Sequence, residues 1–265
     1  MFKVLTIAGS DNSGGAGIQA DLKVFTALNV YGMAVITSLT AQNTTGVKDI
    51  YPVNGDFVFK QIETIAGDIG LDSVKTGMLL TIDVVEAVSV AVKQFKMKNL
   101  VVDTVFKSKN GKDLLSENAI DVYIKKLLPE ALVITPNIPE AEIISGLEIK
   151  TLDDMKKAAK EIQKINKGYV VLKGGHLVQD GETVDIVYDG KDFIELRFPY
   201  VKTKNTHGTG CTYSAAIAAY LAKTKKPLKS IKLAKAYLHG AIENSLNIGK
   251  GHGPLNHNWL ISCSY

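Results

Sequence analysis

The segment Asn205-Thr206-His207-Gly208-Thr209-Gly210-Cys211-Thr212 stands directly before an apolar helical pattern. Gly208 and Gly210 let the backbone turn so that successive N–H groups converge where the helix starts. The positive end of the helix dipole adds to them, and the product is an anion site. Cys211, in the first turn, is expected to lose its proton readily there and to carry thiolate character. The plainer reading is an ordinary N-terminal turn with a buried, inert cysteine.

A matching set follows the apolar runs that read as strands. Asp103 follows Leu100-Val101-Val102, Asn137 and Glu140 follow Leu132-Val133-Ile134-Thr135-Pro136, and Lys173 follows the run 169–172. Open α/β sheets place their sites at the carboxyl ends of strands. Two carboxylates and an amide suit Mg²⁺ held through water and phosphate oxygens. Lys173 suits a transferring phosphoryl group. Taken singly, each of these residues fits a cap or an exposed charge equally well.

A second group lies near the N-terminus. The loop 9–17 is polar and glycine-rich, Asp21 sits one turn inside the helix after it, Gln42 follows the second strand, and Met78 follows Lys75-Thr76-Gly77. Asp21 and Gln42 facing one another would read the donor–acceptor edge of a small heterocycle, with Met78 supplying apolar contact. Asp21 also fits a helix-dipole partner, and Met78 a core filler.

The elements that must position these groups alternate. Strand-like runs at 4–8, 33–39, 73–76, 100–102, 132–134 and 169–172 are continuously apolar or β-branched. Such runs predict a parallel sheet covered on both faces. Helical periods at 18–28, 84–95, 119–128 and 155–165 lie between them, the signature of an α/β layered domain. The runs 183–188 and 192–198 flank Asp189-Gly190-Lys191 and predict an antiparallel hairpin. Helices at 212–222 and 228–247 close the chain, and the expectation is a single domain over 1–265.

Composition narrows the function. The chain has 265 residues, 46% hydrophobic and 22% charged, and a net charge of +4, which gives no ground for a polyanion partner. Arg197 is the only arginine, so base-edge reading of nucleic acid is not expected. Phosphate must be held by lysine, backbone N–H or a metal. Cys211 and Cys263 make no disulfide framework and no zinc motif, and no signal-peptide core or membrane-length apolar run occurs. A reduced, cytoplasmic protein is expected. No string fits GxxxxGK[ST]. Gly15-Ala16-Gly17-Ile18-Gln19-Ala20 fits GxGxxA, but five residues separate Gly9 from its first glycine, and 38–42 holds no carboxylate for a ribose. Both departures argue against a dinucleotide fold.

Together the strings TIAGSDNSGGAGIQADLK, SLTAQNTTGV, KTGML, VVDTV, ITPNIPEAE, VLKGGH and NTHGTGCTYSAAIAA resemble the hydroxymethylpyrimidine/phosphomethylpyrimidine kinases of the ribokinase superfamily, over nearly the whole chain. The resemblance implies a central, mostly parallel sheet flanked by helices on both faces, with ATP near the C-terminal half and Mg²⁺ beside it. It implies a pyrimidine site at Gly9, Asp21, Gln42, Met78 and Val105, and an anion hole at Gly208 and Gly210. Cys211 stands where sugar kinases of the superfamily carry an aspartate base. Asn137, Glu140 and Lys173 would serve ATP, Mg²⁺ and phosphate, with Asp103 beside the metal. Thr206 and Lys235 would lie near the nucleotide.

Two departures stand out. The family usually reads Asp-Pro-Val where this chain has Asp103-Thr104-Val105, and 106–111 differs from the usual small apolar run. Two successive phosphorylations are implied, and they need a rearranging lid. The candidates are 42–47 and 107–111. A pyridoxal kinase of the same fold and a non-catalytic pyrimidine or nucleotide sensor are the alternatives. A homodimer is expected, with exposed strands over 183–198 as its surface.

Overall fold

The computed structural model describes residues 1–107, 114–175 and 177–261. The chain runs β1 (Lys3–Asp11), α1 (Gly17–Ala27), β2 (Tyr31–Asn43), β3 (Gly46–Pro52), α2 (Gly55–Asp68), β4 (Ser73–Thr76), α3 (Ile82–Gln94), β5 (Leu100–Val102) and α4 (Glu117–Val122). It continues through β6 (Val133–Ile134), α5 (Ile138–Ser145), α6 (Leu152–Asn166), β7 (Tyr169–Leu172), β8 (Val178–Gln179), β9 (Glu182–Tyr188), β10 (Phe193–Pro199), α7 (Thr209–Thr224) and α8 (Pro227–Glu243).

One sheet has the order β10-β9-β7-β6-β5-β4-β1-β2-β3, with β8 paired to β9. Its six central strands, β7 to β2, are parallel. The margins are antiparallel, as the hairpin of β9 and β10 predicts. Successive residues of a strand face opposite sides of the sheet. Val4, Val101, Val133 and Val171 accordingly pack under α1, α7 and α8. Leu5, Leu100, Val102, Ile134 and Leu172 pack against α2, α3 and α6 on the other side. Both sides are apolar because both are covered, which is why the sequence runs lack alternation.

The chain leaves β1 toward β2 on one side and reaches β4 on the other, so the order reverses at β1. The crevice at the carboxyl ends there is where such sheets bind ligands. Helix α7 is buried nearly all round and rich in alanine, so it packs closely and brings its N-terminus to that crevice.

Several expectations change. The segment 42–47 is the turn of the β2–β3 hairpin rather than a free lid. Its tip is tied to the C-terminal loop: Thr44 O accepts the His252 N–H at 2.9 Å, and Thr44 Oγ1 accepts the Gly251 N–H at 3.2 Å. Of the second expected lid, 108–111 lies outside the described residues. Its stem is closed, with Phe106 buried edge-on against Tyr123 and its carbonyl accepting the Leu114 N–H at 2.8 Å. The helix expected at 119–128 becomes α4, a π turn at Tyr123–Leu127 and a 3₁₀ turn at Leu128–Glu130, because Pro129 cannot continue an α-helix. The strands over 183–198 are not both exposed. β9 lies between β7 and β10, and only β10 is an edge.

Candidate active site

A cavity of about 830 Å³ opens along the carboxyl ends of the parallel strands. Gly208 caps α7 in the left-handed region, with φ +81. A Cβ there would lie 1.8 Å from the Gly15 carbonyl oxygen, so conformation and space both demand glycine. The first N–H groups of α7 have no intrahelical acceptor by position and face the cavity end of the helix. Gly210 sits against the charged pair below it: a Cβ there would be 3.5 Å from Lys173 Nζ and 3.7 Å from Asp103 Oδ2.

Lys173 Nζ lies 3.2 Å from Asp103 Oδ1. Asp103 also accepts from Thr135 Oγ1 at 3.0 Å and, through Oδ2, from Ser214 Oγ at 3.1 Å. Burial pushes the Asp103 carboxyl up, but Lys173 and Lys75 outweigh it and hold the group below the ordinary carboxylate range. Asn137 is the N-cap of α5 and forms a capping box with Glu140. Glu140 Oε2 accepts the Asn137 N–H at 2.8 Å and Thr104 Oγ1–H at 2.9 Å. Burial, opposed by Lys173 and reinforced by Asp103, raises the Glu140 carboxyl to about 7.

These two carboxylates are too few to hold a metal alone. Among the described residues there is no cluster of three or more His, Cys, Asp or Glu side chains placed to do so. Mg²⁺ usually keeps several waters and takes only one or two carboxylates beside substrate phosphates. The buried, crowded pair Asp103 and Glu140 fits that donor set, and both line the cavity.

At the other end, Gly9, Gln42, Met78 and Val105 line the cavity as expected. A Cβ on Gly9 would meet Met78 Cε at 2.4 Å and Ser38 Oγ at 2.7 Å, so the strand passes Met78 with no room for a side chain. Asp21 does not join them. It is fully buried, its Oδ2 paired with Lys75 Nζ at 2.8 Å and accepting Thr6 Oγ1–H at 2.6 Å. Lys75 has no exposure either, and Asp21, Cys211 and Asp103 keep its ammonium charged against the cost of burial. The pair lies beneath the cavity, so Asp21 is not a reader of ligand edges.

Cys211 also departs from expectation. Burial pushes its thiol up to about 11, and the nearby Lys75 offsets only part of this. Desolvation outweighs the helix N-terminus, and the group is a thiol near neutrality. Lys235 lines the cavity, but its ammonium is engaged by Asp185 Oδ2 at 2.6 Å, while Asp185 Oδ1 accepts the Gly174 N–H at 3.1 Å. Its placement favours holding the loop after β7 over direct contact with a nucleotide. Thr206 lines the cavity and accepts Thr209 Oγ1–H on its carbonyl at 2.7 Å.

Sequence reasoning assigned no role to Asp11 or His207. His207 Nε2 is 2.8 Å from Asp11 Oδ2 and 3.3 Å from Gln42 Nε2. Burial raises the Asp11 carboxyl, but His207 and Ser13 outweigh it and hold it at about 2. The two residues are 196 positions apart, and only the approach of two glycine-rich loops joins them. Lys75 did leave a signal. A lysine inside an apolar strand run is almost never buried without a partner.

The sequence pattern of the family described as phosphomethylpyrimidine kinase matches residues 11–256. The hydroxymethylpyrimidine/phosphomethylpyrimidine kinase of Bacillus subtilis is 44% identical over 257 residues, covering 97% of this chain and 95% of that protein. Among solved structures, the phosphomethylpyrimidine kinase from Clostridium difficile superposes with a TM-score of 0.81 at 44% identity, covering 91% of this chain and 100% of that one. An ADP complex of Bacillus subtilis pyridoxal kinase superposes with a TM-score of 0.90 at 41% identity, covering 98% of both chains.

Proposed function

The chain belongs to the phosphomethylpyrimidine kinase family, and on that premise we propose that it phosphorylates 4-amino-5-hydroxymethyl-2-methylpyrimidine twice at the expense of ATP, first on the hydroxymethyl group and then on the monophosphate. One observation carries the reading. The N-terminus of α7 and the Lys173–Asp103 pair meet at Gly210, at one end of a cavity whose other end holds Gln42 and Met78. A charged phosphoryl group and a small polar ring fit those two ends.

The hydroxymethyl oxygen attacks the γ-phosphorus and the bond to the leaving ADP oxygen breaks. Lys173 and the α7 N–H groups face the charge that spreads over the phosphoryl oxygens. Mg²⁺, held by Asp103 and Glu140 through water and phosphate oxygens, would neutralise part of that charge. Cys211, a thiol at neutral pH, positions the acceptor oxygen. A loose transition state leaves the hydroxyl proton in place until late, so little basicity is needed. In the second step the acceptor is the monophosphate oxygen, and the same anion site must hold the incoming phosphate.

Phosphorylation of pyridoxal at the same site is the second reading, favoured by the close superposition on a pyridoxal kinase. Retention of Asp103, Lys173 and Cys211 together speaks against a sensor that only binds. The proposal includes a cytoplasmic enzyme of one domain over 1–265, with the free edge of β10 as the surface for a homodimer. Among the described residues no helix is long and apolar enough to cross a membrane.

ADP release with Mg-ATP and three acceptors in parallel tests the reading. Turnover of both the hydroxymethylpyrimidine and its monophosphate, with little on pyridoxal, is expected. Turnover of pyridoxal alone moves the chain to the second reading. ATP binding without turnover of any acceptor overturns both.

A further inference from the structure

The Asp11–His207 pair faces Gln42 inside the cavity, and its donor count settles which way the Gln42 amide points. Asp11 is a carboxylate and can only accept, so His207 Nε2 must carry a hydrogen and give it to Asp11 Oδ2 at 2.8 Å. That nitrogen then has no lone pair for Gln42. With Gln42 Nε2 at 3.3 Å, two donors face each other. The opposite end of the amide has the mirrored conflict. Thr40 Oγ1 spends its single hydrogen on the Ser10 carbonyl at 2.8 Å, so it can only accept from the Gln42 atom 3.4 Å away. Exchanging the amide oxygen and nitrogen, which are nearly equal in shape, satisfies both neighbours at once.

We infer that the Asp11–His207 pair, with Thr40 opposite, sets the polarity of the Gln42 amide and thereby selects a ring that presents a donor on the His207 side and an acceptor on the Thr40 side. The inference rests on the pyrimidine reading above and extends it to residues without a role there. In this orientation Oε1 shares the His207 N–H and keeps a lone pair, while Nε2 gives one hydrogen to Thr40 and keeps the other. An exocyclic amine next to a ring nitrogen matches that pair. The amine donates to Oε1 and the ring nitrogen accepts from Nε2. A ring without the amine leaves Oε1 short of a donor in a desolvated site, the kind of loss on which selection depends. His207 acts through Gln42 and is a positioning residue.

The test compares kcat and KM for the aminopyrimidine and for its deamino analogue, 5-hydroxymethyl-2-methylpyrimidine, in the full-length protein with Mg-ATP. The amino compound is expected to be preferred by about tenfold or more in kcat/KM. His207→Phe is expected to reduce that preference by about fivefold, more through KM than kcat, and His207→Gln, which keeps an N–H toward Asp11, to restore most of it. Thr40→Val removes the acceptor on the other side without touching the α7 loop, and is expected to reduce the preference similarly. Preference unchanged in both His207→Phe and Thr40→Val overturns the inference while the pyrimidine reading stands. Wild-type turnover of pyridoxal and of neither pyrimidine overturns the reading and the inference together. If His207→Phe fails to fold, the Thr40→Val comparison alone decides.

Discussion

Thr104 Oγ1 donates to Glu140 Oε2 at 2.9 Å, and the same oxygen accepts the N–H of Asn137. Related kinases usually carry proline where Thr104 stands, and proline offers no hydroxyl. The departure seen in the sequence is therefore a bond, anchoring the carboxylate on α5 to the turn that follows Asp103. Thr104→Val is expected to lower kcat about threefold to tenfold and stability by about 1 kcal/mol. Steady-state kinetics and thermal melts check both. Unchanged kcat would mean that Glu140 is held well enough by its capping box.

Cys211 offers a sharper test. A general base is worth about 10²-fold or more in rate, whereas a thiol that only places the acceptor is worth less. Cys211→Ala is expected to lose less than about tenfold in kcat. With the thiol titrating at about 11, the wild-type kcat profile should show no thiolate limb near neutrality. A loss beyond a hundredfold, with a new ionisation below pH 8, would restore the base role.

Glu140 links the site to pH. Its folded value of about 7 lies above the ordinary 4.5, so the folded state holds the proton more tightly than the unfolded chain. Its contribution to stability is fully present below about pH 4.5 and is lost as pH rises through 7, up to roughly 3 kcal/mol. His257, lowered to about 4 chiefly by burial, works in the opposite sense, adding stability as pH rises from 4 toward 6.5. The difference between wild type and Glu140→Gln isolates the first effect. Without nucleotide or metal, the variant should gain stability relative to wild type between pH 5 and 7, read by denaturant melts. A flat difference would mean that Glu140 titrates normally.

The buried Lys75–Asp21 pair separates structure from recognition. Lys75→Met leaves Asp21 uncompensated, which costs about 3–5 kcal/mol and on the order of 10 °C in Tm. Below that transition, the KM for the pyrimidine is expected to stay within about twofold of wild type, since neither residue lines the cavity. A large KM change in a folded variant would return Asp21 to the ligand site.

Much of this arrangement was legible in the chain. Asp103, Asn137, Glu140 and Lys173 were found because a parallel sheet carries its chemistry where apolar runs end, and 73–76, 100–102 and 169–172 end cleanly. β3 was missed because an exposed edge strand reading Gly-Val-Lys-Asp-Ile-Tyr-Pro has no apolar run to announce it. α2 was readable in principle, with Asn54 as N-cap and Val58 and Ile62 buried one turn apart. Asp21 was misplaced because its partner lies 54 residues away, on a strand that no local pattern ties to α1. Cys211 was misjudged because the helix-terminus rule is local, whereas desolvation depends on everything packed around the thiol.

The C-terminal loop near 251–254 touches both ends of the cavity. Gly251 and His252 hold the tip of the β2–β3 hairpin through Thr44, while Gly253 O accepts the His207 N–H at 3.1 Å beside the α7 loop. Ring and phosphoryl are thus gripped by segments yoked to one short strap. Lifting the hairpin to admit a ring slackens the strap and loosens the anion grip. Seating a phosphate tightens it and draws the hairpin down. Capture of the acceptor and readiness for transfer are geared to each other by a few backbone amides that touch neither substrate.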